Sequence, residues 1–187
     1  MHKRSFDELV KDFESPDRDA WQKPATVIQF MGELKGKTIV DIGAGSGYFA
    51  FQFKDSTVNV VAADPDDRFL EYMTARLKVK PSSHIQIRKA AYNSPPVNPQ
   101  EADLVYMIDV YHHIENRVDY FSQLRKGLKH EGQLIIVDFK KGDLPQGPPD
   151  AMKIDPETVI KELTEAGFNF VALDTTSLPF QFMLKMK

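Results

Sequence analysis

The chain of 187 residues carries 24 lysines and arginines against 27 aspartates and glutamates, a net charge of −3, so no global field draws it to nucleic acid or to an anionic membrane. Hydrophobic residues make up 42% and charged residues 27%, near globular averages, and the length suits one α/β domain that buries about 70% of the surface its unfolded form would expose. With no cysteine, disulfides, thiolate catalysis and cysteine-ligated zinc are excluded.

Met1-His2-Lys3-Arg4 is basic, but Ser5-Phe6-Asp7-Glu8 follows instead of an apolar stretch, so no signal peptide is expected. No apolar run approaches the roughly 18 residues of a transmembrane helix. The expectation is a soluble cytoplasmic protein with no membrane insertion.

Phe6, Leu9, Val10 and Phe13 fall at helical spacing. Pro16 breaks that pattern, and Pro24 opens a second helix through Ala25, Val27, Ile28 and Met31 that Gly32 and Gly36 close. Residues 1–36 thus read as a helical extension or lid on a core of 37–187, the whole forming one domain. Strands and helices then alternate: a strand over Thr38–Ile42, a helix from about Ser46 to Lys54, a strand over Val58–Ala63 and a helix over Asp67–Lys78. A strand over His84–Arg88, a proline-rich loop and a strand over Leu104–Ile108 follow. Next come a helix from Arg117 to Lys129 and a strand over Gln133–Asp138. After a loop rich in glycine and proline, Asp155-Pro156 reads as the cap and first residue of a last helix that Gly167 ends. Two strands, near Phe168–Leu173 and Phe180–Met186, finish the chain. The βα alternation predicts a doubly wound, mostly parallel sheet.

The most informative stretch is Asp41-Ile42-Gly43-Ala44-Gly45-Ser46-Gly47-Tyr48, where an apolar strand runs into three glycines spaced by two and an apolar segment resumes. Glycines allow a sharp turn and a close backbone approach to a ligand, and a helix that follows offers free N–H groups. A dinucleotide fingerprint would need glycine or alanine at position 48, where Tyr48 stands. The D-x-G-x-G-x-G pattern resembles motif I of the class I methyltransferases, which bind S-adenosylmethionine. The resemblance covers roughly residues 38–187 and implies a seven-stranded Rossmann-like sheet whose last strand is antiparallel. It also implies that Asp41 orients the methionine end of the cofactor and that Gly43, Ala44, Gly45 and Gly47 pass beneath its ribose and methionine.

Ligands of open α/β sheets bind at the carboxyl ends of strands. Asp64 ends the second strand, where a carboxylate can accept hydrogen bonds from both ribose hydroxyls; the other reading, a cap for the following helix, can fall to Asp66 or Asp67. Pro65 and Ala91 join the cofactor set. Relatives carry an aspartate around positions 89–91 that meets the adenine, and this chain departs from that pattern. The fourth strand gives Met107-Ile108-Asp109-Val110-Tyr111-His112-His113. This resembles the small-molecule methyltransferases, including the quinone-biosynthesis group, and implies that Asp109 and Val110 line the methionine side. Either His112 or His113 can act as base, since an imidazole titrates near neutrality, or one caps a helix while the other packs.

Trp21 is either a core anchor or an aromatic wall over the substrate, with Tyr111 as a second substrate residue. Asn93-Ser94-Pro95-Pro96 is loosely similar to the Asn-Pro-Pro segment of nucleic-acid amino-methyltransferases but follows the wrong strand. The expected function is therefore methyl transfer from S-adenosylmethionine to a small molecule, with no nucleic acid and no metal. The alternatives are an NAD(P)-binding oxidoreductase and a non-catalytic cofactor-binding domain.

Overall fold

The structure is a computed structural model that describes residues 5–187. The strands are β1 (Thr38–Ile42), β2 (Asn59–Asp64), β3 (Ile85–Lys89), β4 (Ala102–Ile108), β5 (Leu128–Phe139), β6 (Phe170–Asp174) and β7 (Gln181–Met186). They form one sheet in the order β3-β2-β1-β4-β5-β7-β6. β1 to β5 pair in parallel, while β7 runs antiparallel to both β5 and β6. The chain moves outward from β1 through β2 to β3, then returns to lay β4 on the other side of β1. The switch point, where such sheets bind ligands, therefore lies between β1 and β4.

Period-two alternation assigns each side chain to a face. Ile39, Val60, Leu104 and Tyr106 join one core layer, whereas Val40, Val61, Val105 and Met107 join the other. The first layer is covered by α3 (Pro24–Met31) and α4 (Asp67–Val79), the second by α5 (Arg117–Gly127) and α6 (Pro156–Glu165). Burial on both faces explains why β1 and β4 read as nearly continuous apolar runs. α6 begins as its sequence requires: Asp155 accepts from Thr158 N at 2.8 Å and Pro156 takes the first turn.

The extension holds three helices instead of two: α1 (Phe6–Phe13), α2 (Asp17–Gln22) and α3. Ser5 and Glu8 close a capping box at the start of α1. Phe6 and Phe13 pack on Phe69 of α4 with ring centroids 5.0 and 5.4 Å away, which lays α1 across the carboxyl edge of the sheet.

Two expected elements differ. The helix over Ser46–Lys54 is a run of tight turns ending in a single 3-10 turn at Ala50–Gln52. Gly47 has a positive φ of 80°, and the Ser46 carbonyl, which a helix would use internally, accepts from Arg76 Nη1 at 3.0 Å. The helix expected to reach Lys129 stops at Gly127, and β5 starts at Leu128 by pairing with Ala102. A Cβ at Gly127 would lie 2.6 Å from Val97, so the chain turns where the β3–β4 loop crosses it.

Candidate active site

A cavity of about 480 Å³ opens at the switch point. Its floor is the glycine turn after β1, tied to β2 by Gly43 N and Ala44 N, which donate to Ala63 O at 2.8 and 3.1 Å. Gly43 and Gly45 have φ of 77° and 55°, a region L side chains avoid. A Cβ at Gly43 would stand 2.5 Å from Val110 Cγ2. Asp64, at the end of β2, accepts from Gly45 N and Asp66 N, each at 2.8 Å. Burial raises its pKa, with those two backbone bonds pulling the other way. Asp66, not Asp64, caps α4, accepting from Arg68 N at 3.0 Å.

Gly43, Ala44, Gly45, Asp64, Pro65, Ala91, Asp109 and Val110 all line this cavity. Asp41 and Gly47 lie outside its lining. Asp41 is 3% exposed, one residue before the end of β1. Burial raises its pKa to about 7, and the nearby Asp64 adds to the rise. The buried Tyr106 hydroxyl beside it pulls the other way. Gly47 is a packing residue: a Cβ there would lie 2.7 Å from the Phe51 ring.

A second cavity of about 560 Å³ adjoins the first, and Phe13, Arg18, Asp109 and His113 line both. Arg18 stands at the junction. Its Nη1 donates to Phe13 O at 2.9 Å, its Nε to Gln22 Oε1, and its guanidinium lies 4.2 Å from the centre of the Tyr48 ring. Burial lowers its pKa against the pull of Asp109, and it has no ion pair among the described residues. A half-buried cation so placed is suited to an anionic ligand group.

Asp109 turns the chain out of β4 with φ 62°. Its Oδ2 accepts from Gln22 Nε2 at 2.8 Å and its Oδ1 from Gln181 Nε2, so the extension and β7 are both joined to this carboxyl. Burial and then the like charge of Asp138 raise its pKa to about 7. His112 Nδ1 lies 2.8 and 3.0 Å from the two Asp138 oxygens, and His112 N donates to Asp138 Oδ2 at 3.2 Å. Burial alone would lower the His112 pKa, but the Asp138 carboxylate outweighs it and the net direction is upward. His112 and His113 both line the second cavity, their rings 4.1 Å apart. Partial desolvation of the His113 ring and then the neighbouring His112 lower the His113 pKa.

Trp21 also lines the second cavity and packs between Phe139 and Phe180, with centroids 5.9 and 6.2 Å away, so it is at once an anchor and a wall. Tyr111, expected beside the substrate, is packed in the core. The 3-10 turn Tyr111–His113 sends its ring into the opposite core layer, stacked on Phe121, and its hydroxyl donates to Glu162 Oε2 at 2.6 Å. It reaches neither cavity. Sequence reading missed Phe13, Arg18, Gln22, Asp138 and Gln181. Only Asp138 carried a signal, as an acidic residue at a strand's carboxyl end.

The family described as "Methyltransferase domain" matches residues 40–136. A tRNA U34 carboxymethyltransferase of Saccharophagus degradans is 24% identical over 155 residues, covering 76% of this chain and 48% of that protein. One of Pseudoalteromonas translucida is 30% identical over 104 residues, covering 55% of this chain and 32% of that protein. The chain thus spans less than half the length of these curated relatives. A SAM-dependent methyltransferase from Aquifex aeolicus superposes with a TM-score of 0.89 at 20% identity over 98% of both chains. Phosphoethanolamine N-methyltransferase 2 of Haemonchus contortus, solved with S-adenosyl-L-methionine, superposes with a TM-score of 0.73 at 17% identity over 94% of this chain and 47% of that one.

The tRNA named by the curated relatives overturns the expectation of a small-molecule partner with no nucleic acid, and those relatives are not of a quinone-biosynthesis group. The expectation leaned on net charge, a whole-chain average that is silent about any one face, on the place of Asn93-Ser94-Pro95-Pro96 after the third strand, and on the resemblance of the segment after the fourth. No helix among the described residues is long and apolar enough to cross a membrane. With the family match running from β1 into β5, the chain belongs to the methyltransferase domain family, and it shares its seven-stranded sheet almost in full with a solved SAM-dependent methyltransferase.

Proposed function

We propose that this chain transfers a methyl group from S-adenosylmethionine to a nucleobase of tRNA, the cofactor lying in the 480 Å³ cavity and the base in the 560 Å³ cavity. The observation that carries the reading is the junction itself, where both cavities meet at Arg18, Asp109 and His113. The acceptor class rests on the curated relatives. The cavity suits the cofactor: glycines without Cβ beneath it, a carboxylate at its rim and apolar walls from Phe13, Phe69 and Val110. Asp64 would accept from the ribose hydroxyls, and Arg18 would hold the methionine carboxylate.

The cofactor supplies an activated carbon with its own leaving group, so the protein's work is to align the acceptor and exclude water. α1 and α2 cover the junction as a lid on the 37–187 core, and Trp21 offers a ring for base stacking. His112 would take the acceptor's proton on Nε2 while Asp138 holds Nδ1–H and stabilises the imidazolium, an aid of about 10²–10⁴ in rate. His113 would position the acceptor. Calorimetry with S-adenosylhomocysteine, followed by incubation of methyl-labelled cofactor with bulk tRNA, tests this. Nuclease-sensitive label is the expected result; label found only in protein or in small molecules overturns it.

A further inference from the structure

Two lysines from distant parts of the chain meet over the turn between β6 and β7. Lys23 follows α2 with a left-handed φ of 44° and donates from Nζ to Ser177 O at 3.0 Å. Lys140 follows β5, and its Nζ lies 2.7 Å from Leu178 O and 3.3 Å from Pro179 O. The three carbonyls belong to consecutive residues, so two ammonium groups are held at one turn. Neither has an ion pair among the described residues. The acid of this turn, Asp174, accepts from Thr176 N, Ser177 N and Ser177 Oγ at 2.8, 2.9 and 2.5 Å, hydrogen bonds that shape the turn.

Fixed ammonium groups without carboxylate partners retain donors and charge for an anion. An aromatic wall connects them to the acceptor cavity: Trp21 and Phe139 line the cavity, and Phe180, at the foot of the turn, packs against Trp21. Cations along a backbone track beside rings for bases are the two elements with which proteins hold single-stranded nucleic acid. We propose that Lys23 and Lys140 form the phosphate-binding rim of the acceptor site, holding the backbone of a single-stranded RNA segment whose base enters the second cavity. The inference rests on the tRNA reading.

A second basic region provides the control. A depression of about 680 Å³ beside α4 and the start of β3 is lined by Lys54, Lys80 and His84, with Phe51 and Phe53. It lies at the amino ends of β2 and β3, away from both cavities. The experiment measures tRNA binding between about 50 and 200 mM salt for the wild type, for K23Q/K140Q and for K54Q/K80Q. K23Q/K140Q should bind about tenfold more weakly at low salt, with a salt slope shallower by about 1.4. Its affinity for S-adenosylhomocysteine should equal the wild type's, which reports an intact fold. K54Q/K80Q should match the wild type on both ligands. K23E/K140E should weaken tRNA binding further.

Equal losses in the two pairs, or an unchanged slope in K23Q/K140Q, overturn the rim while the tRNA reading stands. So does stronger competition by polyglutamate than by single-stranded RNA, which would mark a site for acidic peptide. A wild type that neither binds nor labels tRNA overturns the reading on which the rim rests.

Discussion

The two halves of the sheet's carboxyl edge are built from different materials. Beyond β1 and β2 the cavity surface is main chain: two glycines at positive φ, and a carboxylate fixed by backbone N–H groups of Gly45 and Asp66. Beyond β4, β5 and β7 it is side chain: Asp109 is held by Gln22 and Gln181, which lie 87 and 72 residues from it in sequence, and His112 by Asp138. A main-chain surface depends on space and dihedral angles and suits a ligand that stays the same across a family. A side-chain surface depends on single polar atoms converging from afar, and it can be changed without touching the other half. The two should therefore fail in different ways.

The largest effect is expected in the side-chain half. His112→Ala should lower turnover on tRNA by about 10²–10⁴-fold with affinity for S-adenosylhomocysteine within about threefold, because His112 lines only the second cavity. Asp138→Asn should lower turnover in the same direction and shift its pH profile. A base works only when deprotonated, and the Asp138 carboxylate is what raises the His112 pKa, so the rising limb should move to lower pH in this variant. Tyr111→Phe, which alters the opposite core layer, should leave turnover unchanged. Comparable losses in cofactor affinity and turnover for His112→Ala would dissolve the distinction between the halves.

A smaller effect tests the main-chain half. Gly43→Ala places a Cβ 2.5 Å from Val110 Cγ2 at a φ of 77°, and should weaken S-adenosylhomocysteine binding about thirtyfold, by collision and by the roughly 1–2 kcal/mol cost of left-handed backbone. Adding Val110→Ala removes the collision but not the dihedral cost, so affinity should recover in part. Full recovery in calorimetry would mean that space alone matters at this turn, and no recovery that the dihedral alone does.

The same division governs what could be read from the chain. The glycine turn and β1 were legible because their physics is local: apolar alternation, then residues that permit positive φ. The seven-stranded sheet with its antiparallel last strand was legible through the resemblance that this turn carries. The helix expected over Ser46–Lys54 gives way to turns around Gly47, whose φ is 80°, and the Ser46 carbonyl there meets Arg76, 30 residues away. Asp109 carries a positive φ that its residue type does not announce, and that turn decides that Tyr111 faces the core while His112 faces the cavity. Gln22 and Gln181 have no pattern of their own and acquire a role only when α2 and β7 flank β4. The lysines at positions 23 and 140 vanish in a net charge of −3 because charge summed along a chain carries no geometry.

The smallest effect concerns Asp41, which lies beneath the main-chain half and touches no cavity. Its carboxyl is 3% exposed and has a pKa near 7, raised by burial and by Asp64 against the opposing Tyr106 hydroxyl and Arg18. A carboxyl whose folded pKa exceeds its unfolded value contributes most below the unfolded pKa, and the contribution is lost as pH rises through the folded one. The wild type should therefore lose stability from about pH 4 to about pH 7 on account of this group. Moving a carboxyl from 3.8 to about 7 has a ceiling of about 4 kcal/mol, which relaxation and water penetration reduce to about 1 kcal/mol. Asp41→Asn keeps the shape and removes the buried charge. In urea titrations it should exceed the wild type by about 1 kcal/mol at about pH 8.5, an advantage that shrinks steadily below pH 7 and is gone by about pH 4. Cofactor affinity at the higher pH should stay within about threefold, since Gly43, Gly45 and Asp64 are held by bonds that do not involve Asp41. An advantage independent of pH would show that packing, not charge, sets its cost, and a large loss of affinity would return Asp41 to the ligand surface.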